Sequence, residues 1–253
     1  MLCLVAGLSP DEKVRHFMSE HDPHLALARR SFLSRLGIGV TTVGAALGAG
    51  VSPAQAQSNE GGHWQPARHS LDDWFDQVPG KHRFVFDTYT PEGIGEALPF
   101  VNNYFTANQT GYGLPNGDLA VVIVMRHRST LFAYNDAIWA KYGVTITQRT
   151  NFNDPTTKEP PKINMYNSTV YGASLPNRGT TLESLLKRGV HLAVCQLSTR
   201  GYAGAIAAAA GASADAIYSE LVANLLSNSH IVPAGIVAVN RAQEHGYSFV
   251  SVV

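Results

Sequence analysis

Residues 119–125 read Leu-Ala-Val-Val-Ile-Val-Met, seven apolar side chains without a break. A strand with one wet face alternates apolar and polar residues. An unbroken run has no wet face, so this segment belongs inside a parallel sheet covered on both sides. The turn signal Asn116-Gly117-Asp118 directly before it marks where the strand begins.

Outward from this run the chain repeats an alternation of strand and helix. Arg83–Thr88 (RFVFDT) is a short strand, and Pro91-Glu92 opens a helix to about Asn108, with proline and an acid in its first turn. After the apolar strand, Ser129 or Thr130 caps a helix from Leu131 to about Tyr142, closed by Gly143. Thr180–Arg188 is a short helix and Val190–Cys195 a strand, followed by an alanine-rich stretch and a helix over Ser213–Leu226. His230–Pro233 reads as a strand, Gly235–His245 as a helix ended by Gly246, and Tyr247–Val252 as the last strand. This pattern predicts residues 81–253 to be one α/β domain of flavodoxin- or Rossmann-like type. Its mostly parallel five-stranded sheet would carry helices on both faces. Between residues 144 and 176 the periodicity dissolves into a Pro-, Asn- and Thr-rich insertion, the kind of long loop that forms lids or partner-binding arms.

The first 56 residues read as a twin-arginine signal peptide. Arg29-Arg30-Ser31-Phe32-Leu33 is followed by the charge-free stretch Leu36–Val51, and Ala54-Gln55-Ala56 supplies a small-x-small cleavage pattern. The expectation is export by the Tat translocase to the periplasm, with cleavage near Ala56; an uncleaved membrane-anchored form is the rival. Translation from Met1 or from Met18 fits equally. Residues 57–80 then form an arm ending in a short amphipathic helix around Trp74 and Phe75, placed to cover its own domain or a neighbouring subunit.

The leader takes five basic and four acidic residues with it, leaving fourteen Lys and Arg against fifteen Asp and Glu in about 197 residues. No basic surplus remains to attract nucleic acid. Only Cys195 survives cleavage, so no disulfide can form within the mature chain. Its seven histidines show no metal-ligand spacing, and Gly201-x-x-Gly204 lacks the marks of a phosphate loop. Neither a metal nor another cofactor is expected.

Open parallel sheets bind ligands at the carboxyl ends of their strands, beside helix N-termini. That rule gathers Thr88, then Arg126-His127-Arg128, then Cys195 with Ser198, Thr199 and Arg200. Two guanidinium groups before a helix could converge on an anion. If the segment is extended, however, Arg126 and Arg128 share one side and His127 the other, and a guanidinium could instead pair with Asp136.

The Gly189–Cys195 strand ending in cysteine, the segment Val232-Pro233-Ala234-Gly235 and the closing Ala242-Gln243-Glu244-His245-Gly246-Tyr247 resemble the DsrE/DsrF-like sulfur-trafficking family. So does the aliphatic strand that runs into Met125-Arg126-His127. The resemblance implies a flavodoxin-like fold, homo-oligomers and a cysteine that carries sulfur as a persulfide, the matching position being Cys195. A thiol at a strand end before a helix meets unpaired N–H groups and the nearby Arg200, which favour the nucleophilic thiolate. His127 is then the candidate acid or base, and Arg126, Arg128, Ser198, Thr199, Arg200 and Thr88 are candidate anion contacts. Two functions stand open: a sulfur carrier or sulfurtransferase acting through Cys195, or a non-catalytic small-anion-binding or assembly protein.

Overall fold

The computed structural model describes residues 65–253. The expected Tat motif at Arg29 and Arg30 and the expected cleavage site at Ala54 and Ala56 lie outside them. At the centre of the described residues is β2 (Leu119–Met125), every residue of it buried. Its alternation feeds two cores. Val121, Ile123 and Met125 enter the larger one, and Ala120, Val122 and Val124 the smaller.

Around β2 lie β1 (His82–Thr88), β3 (His191–Cys195), β4 (Ser229–Val232) and β5 (Ser248–Val252), in the order β4-β3-β2-β1-β5 with every pairing parallel. The predicted α/β sheet is therefore present, all-parallel rather than mostly so. Seven helices are described: α1 (Trp74–Gln77), α2 (Pro91–Tyr112), α3 (Asp136–Gln148), α4 (Leu182–Leu186), α5 (Gln196–Ala210), α6 (Ala214–Ala223) and α7 (Gly235–Glu244). Helices α2 to α6 bury their apolar sides in the larger core, so the three crossovers from β1 to β4 share one face of the sheet. Of the described helices only α7 and α1 pack on the other face, and α7 returns the chain to β5 beside β1.

The boundaries that differ most from the sequence reading are the two ends of α3. Residues 127–133 form a 3-10 turn, and α3 starts at Asp136, where the Asn135 side chain accepts from the N–H groups of Ala137 and Ile138. Ser129 caps this turn rather than an α-helix: its hydroxyl accepts the Arg126 N–H at 3.0 Å and donates to the Thr88 carbonyl at 2.8 Å. Gly143 does not close the helix but lies inside α3, with the Pro161 carbonyl seated where a Cβ would be. The helix continues to Gln148.

The insertion is part of the domain. Phe152, Met165, Tyr166 and Leu175 are buried in the larger core. The Asn164 amide donates to the Phe132 and Tyr134 carbonyls at 2.8 and 2.9 Å, and its backbone N–H donates to Asp136 at 2.8 Å. Asp136 is thus engaged by the insertion rather than by an arginine. The aromatic arm also finds its home on its own domain. Phe75 is fully buried beneath Trp74, and its carbonyl accepts from the Tyr247 hydroxyl at 2.8 Å.

Candidate functional site

The carboxyl ends of β1, β2 and β3 carry most of the polar groups gathered from the sequence, and the backbone sorts them into two sets. His127 has φ 54°, a left-handed conformation uncommon outside glycine. This breaks the extended alternation expected for Arg126-His127-Arg128. The two arginines go to different places.

Arg126 turns to Asp87, which is 2% exposed. Its Nε donates to Oδ1 at 2.7 Å and its Nη2 to Oδ2 at 2.8 Å, a bidentate pair. Hydrogen bonding to Asp87, against the opposing effect of burial, pushes the guanidinium above its ordinary value. The Arg126 side chain also covers the Tyr89 ring and packs on Gly235, where a Cβ would collide with it.

Cys195 lies on this same side. Along β3, Leu192 and Val194 enter the larger core and Ala193 the smaller, so alternation points Cys195 the way of Ala193. It is 5% exposed and within electrostatic reach of Arg126. As N-cap of α5, its Sγ accepts the Ser198 N–H at 3.4 Å. The second set begins one step on, because the Ser198 hydroxyl accepts the His127 N–H at 2.8 Å.

His127, Arg128, Leu197, Ser198, Gly201, Tyr202 and Arg149 line a pocket of about 420 Å³. Arg149 stacks over the Tyr202 ring, and its Nη1 reaches the Gly201 carbonyl at 3.4 Å. Among the described residues neither Arg128 nor Arg149 pairs with a carboxylate. The buried Nε of Arg128 has no protein partner among them. Burial pushes the Tyr202 hydroxyl up to about 12 against the pull of both guanidinium groups, so it enters the pocket as a neutral donor. Two cations without carboxylate partners, a phenol and a serine hydroxyl form a setting for a small anion.

Of the remaining candidates, Thr88 and Thr199 are internal. Thr88 Oγ1 donates to the Val124 carbonyl at 2.9 Å, and Thr199 Oγ1 donates to the Cys195 carbonyl at 3.0 Å while accepting from the Tyr134 hydroxyl. Arg200 pairs with Asp215 at 3.4 Å over the Tyr218 ring, so it is held by α6 rather than by Cys195. Sequence reasoning missed Asp87, Arg149 and Tyr202. An aspartate within an otherwise apolar strand ending was a readable signal for Asp87. Arg149 had none, because α3 was expected to end before it. No cluster of three His, Cys, Asp or Glu side chains that could hold a metal is present among the described residues.

Fold and site together define an all-parallel α/β domain with a cationic pocket at its strand ends. No family model matches the chain, and no curated protein matches it. Among solved structures the chain is similar to a protein of unknown function, MTH1491 from Methanobacterium thermoautotrophicum. The identity is 13% and the TM-score 0.34, over 68% of this chain and 99% of that one.

Proposed function

We propose that the pocket takes a small sulfur-bearing anion and that Cys195 accepts a sulfane sulfur from it, as the resemblance to the DsrE/DsrF-like family implies. The observation that carries this reading is the pair of hydrogen bonds through Ser198, whose N–H donates to Cys195 Sγ while its hydroxyl accepts from His127 at the pocket. Cys195 does not itself line the pocket; one helical turn separates it from Ser198 at the pocket wall, and sulfur transfer requires the anion to reach the thiol past that turn.

In the step proposed, the Cys195 thiolate attacks the outer sulfur of thiosulfate. A cysteine–sulfur bond forms, the sulfur–sulfur bond of the donor breaks, and sulfite leaves with the electron pair, so no oxidant is required. Arg128 and Arg149 would hold the oxyanion and the departing sulfite. No second thiol is present after residue 56, so the persulfide would pass its sulfur to an external thiol. Export by the Tat pathway to the periplasm, inferred from Arg29-Arg30, is part of the same proposal.

A second reading, anion binding without transfer, is favoured by the burial of Cys195. Mass spectrometry after incubation with thiosulfate or polysulfide separates the two. The first reading expects a sulfur-sized increment on the peptide containing Cys195, absent from Cys195→Ser. An intact pocket that binds thiosulfate with no such increment sinks it in favour of the second.

A further inference from the structure

Among the described residues strand β5 stands at one edge of the sheet, hydrogen-bonded to β1 alone in an unbroken register from Phe84↔Ser248 to Thr88↔Val252. Natural sheet edges are usually blunted by charge, proline, a bulge or shortness. The opposite edge, β4, is only four residues long and stops at Pro233. By contrast β5 reads Ser-Phe-Val-Ser-Val, with no charge and no proline. Phe249 is 42% exposed on it. Beside it an apolar groove of about 570 Å³ is lined by Phe84, Phe100, Tyr104, Val250 and Val252, with Phe100 51% exposed.

An open row of backbone donors and acceptors calls for an extended strand, and the surrounding charges say which one. Exposed Lys81 and His82 lie at the Ser248 end of β5, sharing a pocket with it. Exposed Glu96 lies toward the opposite end, lining the same groove as Val252 and Val253, and exposed Glu92 neighbours Gly93, which abuts the Val252 carbonyl. We infer that β5 pairs antiparallel with β5 of a second copy of this chain, about a two-fold axis, making one continuous sheet across the dimer. Only the antiparallel arrangement sets the basic end of one copy against the acidic end of the other; a parallel one would place like charges together. The apolar groove of each copy then closes over the partner's strand. This inference is independent of the sulfur chemistry.

Sedimentation velocity on the full chain tests it. The expected result is a dimer at micromolar concentration, weakened by added salt. Phe249→Lys should raise its dissociation constant roughly tenfold or more without changing circular dichroism or melting, because the side chain is already partly in water. Lys81→Glu and Glu96→Lys should each weaken the dimer by roughly tenfold, and the double reversal on one chain should restore it. Cys195→Ser should dimerise like the parent. A monomer at micromolar concentration overturns the inference. So does an oligomer indifferent to Phe249→Lys, or a double reversal whose losses add.

Discussion

Arg126 reaches across the sheet from the end of β2 and grips the buried carboxylate of Asp87 with two hydrogen bonds of 2.7 and 2.8 Å. The pair is asymmetric, since the Arg126 side chain is 25% exposed and that of Asp87 only 3%. A stranded guanidinium can turn to water, whereas a stranded carboxylate there cannot. Arg126→Gln should therefore cost about 3 kcal/mol of stability and Asp87→Asn about 1–2 kcal/mol. Urea denaturation of both variants measures this order, and equal losses would mean that water reaches Asp87.

Among the described residues Arg128 and Arg149 face the pocket without carboxylate partners, so each should contribute directly to anion affinity. Arg128→Gln and Arg149→Gln are each expected to weaken thiosulfate binding about tenfold in isothermal titration calorimetry, with a shallower salt dependence. Arg200→Gln serves as the control. Its guanidinium is engaged with Asp215, and the affinity should not change.

On the other face of the sheet, His191 Nδ1 lies 2.9 Å from His230 Nε2, and the His230 ring stacks on Trp74 at 4.0 Å. Burial, reinforced by His191, pushes His230 down to about 4, and burial lowers His191 as well. Because these folded-state values lie below the unfolded value of about 6.5, the unfolded chain binds protons more readily. The contribution of the pair is complete above about pH 6.5 and is lost as pH falls from there toward about 4. With both rings only half buried, the loss should be about 1–2 kcal/mol. Thermal melts across that window should show it, and His230→Phe, which keeps the stack on Trp74, should flatten the profile.

Export is tested separately. Replacing Arg29 and Arg30 by lysine keeps the charge and removes the planar fork of donors, so the double variant should stay inside the cell, folded and uncleaved. The parent should appear in the periplasm with a new N-terminus near Gln57. Cell fractionation with N-terminal sequencing reads both, and normal export of the double variant would rule out the Tat route.

The elements most legible in the sequence are those whose pattern is local. The unbroken apolar run over residues 119–125 reads as a strand buried on both faces, and Pro91-Glu92 as the opening of a helix; both stand in the structure. Gly143 misled because a glycine that ends a helix and a glycine that admits a carbonyl are the same letter. The difference is Pro161, eighteen residues later. The insertion looked like a free arm because its anchors, Asn164 on the Phe132 and Tyr134 carbonyls, bond to backbone, which every sequence has.

The same division runs through the site. From the residues alone, Cys195 had to end a strand and precede a helix, and its Sγ does take the cap of α5; a short-range pattern was sufficient. Which charges would surround it was not determined at that range. Arg200 is one helical turn from Cys195, yet it is held by Asp215. Arg126 is bound across the sheet to Asp87, and Arg149, at the end of a helix that ran past its expected stop, reaches the pocket from another element. Strand and helix periodicity follows from backbone geometry within a few residues, so the sequence by itself determined the sheet and the position of the thiol. The partners of long charged side chains depend on which strand lies beside which and on one left-handed residue, His127; those only the tertiary structure decided.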